Sequence, residues 1–142
     1  MGTFVSPDLL AVWTILQEAS NQPLDAMTMV GEVIRTRTTK KWFSDGTIAS
    51  TVLFPEQFSG WMTHDPNRIR TAKLDAHDPV VVNAQVAWER SGALAITKGD
   101  VVLYHDVSKT PWWAAHYRFV MAVGAFRCYG AGPAAIVASN KE

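Results

Sequence analysis

Two apolar helical segments near the amino terminus, separated by a break that ends in proline, constrain the fold more than any other feature. Ser6 and Pro7 form a helix start, because serine caps well and proline suits the first helical position. The buried face that follows has helical spacing and consists of Leu9, Leu10, Val12, Trp13 and Leu16. Residues 20–23, Ser-Asn-Gln-Pro, stop the helix, since a residue before proline avoids the helical conformation. We therefore predict helices over residues 7–19 and 24–38.

The rest of the chain adds a third helix and two strands. In the second helix, Gly31 is small enough to let another helix approach closely, and the buried stripe is predicted to contain Met27, Val30, Val33 and Ile34. A third helix is predicted over residues 79–91, with Val82, Val86 and Trp88 inward, ending at Gly92. Residues 101–104 and 119–129 indicate strands, the second broken at Gly124. Residues 40–79 carry turn residues between short apolar pieces, and residues 48–54 fit either a short strand or a helical turn. The fold class is therefore α+β.

Composition limits the class of protein. With 142 residues, 48% hydrophobic and 18% charged, the chain is expected to form one globular domain over residues 1–142. Thirteen basic and thirteen acidic residues cancel, which argues against a nucleic-acid binder. The basic residues Arg35, Arg37, Lys40 and Lys41 suit the negative end of the second helix. The single Cys128 forms no internal disulfide, and no Cys/His spacing resembles a zinc site. We expect neither metal nor cofactor.

The chain is also expected to accumulate in the cytoplasm. No apolar run approaches the ~20 residues that cross a bilayer, so stable membrane insertion is not expected. The first residues, Met-Gly-Thr-Phe-Val-Ser, lack the charged and apolar regions of a secretion signal.

Glu18 is the residue with the clearest chemical potential. It is an acid at the end of an apolar helix, beside the break, where it should border the aromatic edge formed by Trp13. A carboxyl group next to an indole in a partly dry cleft has a raised pKa, which makes a general acid usable near neutral pH. On spacing alone, a solvated surface glutamate is the alternative.

Aromatic residues point to carbohydrate. The chain has six tryptophans, and indole rings pack on the apolar faces of sugars. Trp13 and Trp88 fit a core position, whereas Trp61, Trp112 and Trp113 lie in loop-like sequence, where an exposed aromatic residue often binds a ligand.

Two polar segments could orient a sugar. In an extended strip, Gln57 and Ser59 would face one way and Phe58 the other, which suits an N-acetyl sugar; an ordinary polar loop is the alternative. Tyr104 and His105 form the second segment, in which the histidine is either an acid–base group or a hydrogen-bonding partner. No serine lies on a nucleophile turn, and Cys128 lies in apolar sequence, so a Ser or Cys nucleophile is poorly supported.

In order and spacing, several motifs of the chain resemble the cell-wall hydrolase family of the spore cortex-lytic enzyme type. Residues 17–23, Gln-Glu-Ala-Ser-Asn-Gln-Pro, resemble its Gly-Glu-Ala-Arg-Gly-Glu-Pro run, and residues 33–37 resemble its Asn-Arg-Val helix end. Its Gln-Phe-Ser motif is matched at 57–59. Its Thr-His-Tyr-His strand, Pro-x-Trp motif and closing Ile-Gly-x-His-x-Phe-Tyr strand resemble residues 102–105, 111–113 and 123–129. The resemblance covers about residues 9–129, which leaves 130–142 as a loose tail.

The resemblance implies a lysozyme-like α+β domain that cleaves peptidoglycan glycan strands by lytic transglycosylation. Glu18 matches the catalytic acid, and the substrate-binding residues would be Gln57, Phe58, Ser59, Tyr104, His105 and Trp112. A small enzyme of this kind also looks like a phage endolysin. Such a protein would be expected to act as a monomer and to wait in the host cytoplasm until a holin, or another route, released it to the wall.

Departures from the family pattern keep alternatives open. Ser20 and Gln22 replace the arginine and second acid of the first motif, and Phe126 replaces the histidine of the last. One alternative is a muramidase, which needs a second acid; the candidates are Glu32, Glu56, Asp65 and Asp106. Another is a peptidoglycan-binding module without activity. An amidase has less support, because it would need zinc or a cysteine.

Overall fold

The computed structural model of the protein describes residues 6–54 and 74–133. Within these ranges the helices are α1 (Pro7–Ala19), α2 (Leu24–Lys40), α3 (Ile48–Leu53) and α4 (Pro79–Ser91). The strands are β1 (Leu103–Asp106), β2 (Tyr117–Val123) and β3 (Phe126–Pro133), with a 3₁₀ turn at Trp112–Ala115. The predicted α+β class is confirmed. None of the described helices is long and apolar enough to cross a membrane.

The three long helices form where the sequence predicts them. At the start of α1, the Ser6 hydroxyl accepts a hydrogen bond from the Leu9 amide at 3.1 Å, and Pro7 occupies the first turn. The second helix runs two residues past its predicted end and stops at Lys41, which adopts a left-handed conformation with φ of 56°. For residues 48–54 strand and helix were both open; residues 48–53 form the short helix α3, and Phe54 is its C-cap.

The core lies where α1, α2 and α4 pack together. A Cβ at Gly31 of α2 would lie 2.9 Å from Cβ of Ser91 on α4 and 3.4 Å from Cδ1 of Ile15 on α1. The predicted close approach at Gly31 is therefore confirmed, and no larger residue fits without displacing α4.

Two predicted core positions are wrong. Leu9 is 50% exposed and Val82 is 44% exposed. In α1 the buried face includes small and polar residues such as Ala11, Thr14 and Gln17, which turns the helix away from the face that its large side chains suggested. The buried face of α4 also includes small and polar residues rather than Val82. It consists of Val81, Ala84, Ala87, Trp88 and Ser91.

The three strands form one antiparallel sheet in the order β1-β3-β2. Gly124, with φ of 54°, turns the chain between β2 and β3, so the predicted break is confirmed. The first strand begins at Leu103, two residues later than predicted, although the Val102 amide already donates to the Tyr129 carbonyl at 2.9 Å. In the β1–β3 ladder Tyr104 pairs with Cys128 and Asp106 pairs with Phe126. The sheet thus carries Tyr104 on an edge strand.

Candidate active site

Glu18 meets the sheet at the last turn of α1. Its side chain is partly exposed, whereas its neighbours in the sequence, Gln17 and Ala19, are buried. The Tyr104 hydroxyl, on β1, donates a hydrogen bond to Glu18 Oε1 at 2.7 Å. Two residues from distant parts of the chain, each predicted to belong to the site, are thus brought together.

Tyr104 is held as a neutral donor. Loss of hydration raises the pKa of its hydroxyl well above 10.0, and the negative charge of Glu18 raises it further. The tyrosine is therefore protonated, and able to donate, at neutral pH. Its ring meets the ring of Phe126 edge to face, with centroids 5.1 Å apart.

Arg37 brings a positive charge to the same place. It lies in the last turn of α2, is 4% exposed, and donates from Nε to the Val102 carbonyl at 2.6 Å. Burial lowers the pKa of its guanidinium, while the nearby Tyr104 and Glu18 raise it. Arginine stays protonated under ordinary conditions, so the group beside Glu18 is a cation.

An aromatic groove of about 430 Å³ opens next to Tyr104. We refer to it as the aromatic groove; it is lined by Arg37, Trp42, Phe43, Leu103, Tyr104, Trp112, Trp113 and Tyr117. The rings contact one another: Tyr117 lies edge-on to both Trp42 and Trp113, with centroids 6.0 and 6.4 Å apart. Trp112 is 80% exposed at the rim. Apolar ring faces with a few polar groups are typical of a ligand-binding cleft.

Comparison with known proteins assigns the chain to a family. A family model described as Cell Wall Hydrolase matches residues 21–129, which is most of the chain. The chain belongs to the Cell Wall Hydrolase family. No curated protein and no solved structure matches the chain at a significant level.

Membership in the Cell Wall Hydrolase family supports a peptidoglycan-degrading role for the protein. The matched segment contains Arg37, Tyr104 and the aromatic rings of the groove. It begins at residue 21, so Glu18 lies just before it. The assignment of Glu18 as the acid therefore depends on its position in the fold.

His105 contacts Trp113, which lines the groove, and Tyr129 of β3. Its Nδ1 contacts the Asp106 carbonyl oxygen at 2.8 Å, and its Nε2 contacts the Tyr129 hydroxyl at 2.9 Å. A carbonyl oxygen can only accept, so Nδ1 carries the hydrogen and Nε2 of the neutral ring accepts from the tyrosine. The imidazole also packs edge-on to Trp113, with centroids 5.6 Å apart. These contacts favour the hydrogen-bonding role over an acid–base role.

The other predicted substrate-binding residues divide into two groups. Trp112 lines the aromatic groove, as a binding residue would. Gln57, Phe58 and Ser59 lie outside the described residues, as does Trp61, and their roles stay predictions. Within residues 6–54 and 74–133, no group of three or more His, Cys, Asp or Glu side chains could hold a metal ion.

Two departures from the family pattern have structural roles. Gln22, in place of an acid, accepts a hydrogen bond from the Ala125 amide at 3.1 Å, which ties the α1–α2 turn to the β2–β3 turn. A glutamate at this position would offer the same oxygen as acceptor, so the change from acid to amide keeps this hydrogen bond. Phe126, in place of histidine, is buried and packs on Tyr104. Both replacements therefore make structural contacts: Gln22 joins two turns, and Phe126 packs against Tyr104.

Sequence reasoning missed several members of the site. Trp42, Phe43 and Tyr117 were not predicted to line a groove. Arg37 was interpreted as a cation that suits a helix end and as part of the family motif at 33–37, but not as a member of the site. One signal was available for Arg37: it continues the apolar stripe of Val30, Val33 and Ile34 at helical spacing. A basic residue on a buried stripe indicates a buried charge, which needs partners.

Proposed function

We propose that the protein is a lytic transglycosylase that cleaves the bond between N-acetylmuramic acid and N-acetylglucosamine, with Glu18 as its proton donor. The observation that carries the proposal is the hydrogen bond from Tyr104 to Glu18 Oε1 at 2.7 Å, at the edge of the aromatic groove. The family assignment supports the wider class of reaction, peptidoglycan degradation.

The hydrogen bond favours one oxygen of Glu18 as the proton carrier. Oε1 accepts from the Tyr104 hydroxyl, and we therefore assign the transferable hydrogen of the carboxylic acid to Oε2. Glu18 protonates the glycosidic oxygen as positive charge develops at C1 of the muramoyl residue. The C6 hydroxyl of the same sugar then attacks C1 and returns its proton to the Glu18 carboxylate. The products are a 1,6-anhydromuramoyl end and a free N-acetylglucosamine hydroxyl, and the enzyme regains its starting state.

The groove supplies the binding surface for this reaction. Trp112 and Trp113 offer ring faces or edges to the apolar sides of sugars, and Tyr104 joins the groove to the acid. Since Trp112 is exposed before any ligand binds, covering it with a sugar ring removes apolar surface from water at little conformational cost.

A muramidase is the second candidate, and one observation favours it. Asp106 lies on β1 two residues from Tyr104, so both side chains leave the same face of the strand. Hydrogen bonds from Ser108 lower the pKa of Asp106 and so favour its ionised form. A muramidase needs such a carboxylate as the base that activates water. An amidase that uses Cys128 is disfavoured, because burial raises the pKa of the thiol to about 12 and keeps it protonated.

Glu32 is unsuited to the role of second acid. It is fully buried in α2, and its carboxylate accepts from the Ile96 amide at 3.1 Å and from the Thr97 amide at 2.8 Å. Its oxygens are therefore committed to holding a turn. Glu56 and Asp65 lie outside the described residues.

Purified peptidoglycan sacculi test the proposal directly. Wild-type protein should clear a turbid suspension, Glu18→Gln should not, and Glu89→Gln, a change at an exposed glutamate on α4, should clear it like wild type. Mass spectrometry of the fragments separates the reactions: anhydro ends support transglycosylation, whereas reducing muramic acid together with loss of activity in Asp106→Asn supports the muramidase. Equal clearing by wild type and Glu18→Gln would remove Glu18 from its role. Binding to sacculi without clearing by any variant would indicate a binding module.

The biological role that we propose is that of a phage endolysin. It would act as a monomer, held in the host cytoplasm and released by a holin. Expression of the protein in a bacterial host with and without a co-expressed holin tests this role. Lysis only in the presence of the holin supports it, and rapid lysis in its absence contradicts it.

A further inference from the structure

A buried arginine beside a proposed acid needs an explanation, since an isolated buried charge is costly. Arg37 is 4% exposed, and its Nε donates to the Val102 carbonyl at 2.6 Å. This bond fixes the guanidinium to the residue just before β1, close to Tyr104. One carbonyl satisfies one N–H group but does not balance the charge.

The acidic groups that face Arg37 come from the two neighbouring elements of the site. Glu18 belongs to α1 and Tyr104 to β1, and both interact electrostatically with the guanidinium. Cys128 of β3 faces Tyr104 in turn. Three further elements pack against α2. The helix α3 carries no titratable side chain, α4 carries the exposed residues Glu89 and Arg90, and β2 carries Tyr117 and Arg118, of which the arginine pairs with Asp100. Among the described groups that interact with Arg37, Glu18 is the carboxylic acid, so it can balance the guanidinium charge when it ionises.

Building on the proposed function, we propose that Arg37 is a positioning residue whose buried charge stabilises the carboxylate that Glu18 becomes when it releases its proton. The protonated acid of the resting enzyme is neutral and gains little from the guanidinium, whereas the carboxylate that forms during glycosidic cleavage gains most. The interaction therefore grows as the proton leaves, which is the condition for lowering a barrier. Tyr104 acts in the same sense, because it donates to Glu18 Oε1.

The proposal predicts a change in pH dependence with a definite sign. Glu18 must be protonated to act, so activity falls as pH rises through its titration. Without the cation the carboxylate is less favoured, so the basic limb of the kcat profile should move to higher pH by about one unit. The acid plateau of kcat should fall, because a weaker acid transfers its proton more slowly.

Arg37→Gln is the test variant, since its amide can still donate to the Val102 carbonyl, and Arg37→Lys should restore the wild-type profile by restoring the charge. Arg35→Met is the matched control. Arg35 lies on the same helix and donates to the Trp88 carbonyl at 2.8 Å, but it interacts with Asp8 instead of Glu18. The Arg35→Met variant should therefore leave the pH profile of kcat unchanged. If Arg37→Gln does not fold, semisynthetic Arg37→citrulline keeps the shape and the Nε–H group without the charge.

A direct titration separates this proposal from the proposed function. In protein labelled with ¹³C at glutamate carboxyl groups, NMR follows the Glu18 carboxyl, identified by its loss in Glu18→Gln, in the wild type and in Arg37→Gln. A midpoint that moves to higher pH in Arg37→Gln supports the proposal even if Glu18→Gln retains activity, in which case only the proposed function fails. Identical midpoints in the wild type and the neutral variant would overturn it.

Discussion

The ring of Phe126 stands edge-on against the ring of Tyr104, with centroids 5.1 Å apart and planes at 76°. Tyr104 in turn donates its hydroxyl hydrogen to Glu18 Oε1 at 2.7 Å. Phe126 of β3 thus orients Tyr104 of β1, and Tyr104 in turn orients Glu18 of α1. The proposed acid is positioned by packing as well as by hydrogen bonding.

Removing the Tyr104 hydroxyl should reduce catalysis while the fold is retained. Tyr104→Phe keeps the ring against Phe126 but deletes the donor to Glu18. Because a hydrogen bond to a charged group contributes about 1.5–3 kcal/mol, kcat should fall about tenfold to a hundredfold, with little change in KM. Initial rates of sacculus clearing measure this change. Thr39→Ala, which removes an exposed hydroxyl on α2 outside the groove, should stay near wild type. A Tyr104→Phe enzyme with the wild-type rate would contradict the role of the bond.

Phe126→Ala should destabilise the fold as well as the site. The side chain is 5% exposed, and truncating a buried phenylalanine costs about 3–5 kcal/mol. Urea unfolding followed by tryptophan fluorescence measures the loss. The comparison variant is Phe119→Ala on the same hairpin, where the side chain is 45% exposed; it should cost about 1 kcal/mol. Similar losses for the two variants would show that Phe126 is not an anchor of the sheet.

Helices and the hairpin could be predicted because their signals are local. The serine cap and proline of α1, the periodicity of α2 and the Gly124 turn each act within a few residues of chain. The buried face of α1 was less predictable. Burial of Thr14 and exposure of Leu9 depend on the angle at which other helices cross α1, which hydropathy does not encode.

The site was predictable at its centre and unpredictable along the groove. Glu18 and Tyr104 could be proposed one at a time from a helix end and a polar strand segment, and the fold joins them. Trp42 and Tyr117 line the groove only because the end of α2 and the start of β2 meet in space. No spacing in the sequence links two such residues.

Glu32 should prove important for stability and unimportant for the reaction. Its carboxylate accepts from the Ile96 and Thr97 amides and from the Thr97 hydroxyl at 2.7 Å. Glu32→Ala leaves those buried donors without a partner, and we expect a loss of about 3–5 kcal/mol. Asp25→Asn, on an exposed face of the same helix, should change stability by about 0.5 kcal/mol. Chemical denaturation measures both. A folded Glu32→Ala protein that clears sacculi at the wild-type rate per molecule is the expected result, and one that is stable but inactive would contradict it.

Alkaline pH should weaken the fold through the buried Cys128 thiol. Burial raises its pKa from the usual 9.0 to about 12. Above pH 9 the unfolded chain releases this proton while the folded chain retains it, so the stability present below pH 9 is lost as pH rises toward 12. At ~1.4 kcal/mol per pKa unit, the loss across this window is about 4 kcal/mol. Tyr104, whose pKa is also raised, adds to it above pH 10.

Cys128→Ala isolates the contribution of the thiol. The variant should be somewhat less stable at pH 7, because it leaves a small cavity in the core, but its free energy of unfolding should fall less steeply between pH 9 and pH 10, where the ionisation of Tyr104 contributes little. Urea titrations at half-unit pH steps measure the two curves. Curves that stay parallel from pH 7 to pH 10 would mean that the folded protein releases the thiol proton as readily as the unfolded chain does, which the complete burial of Cys128 in the core argues against.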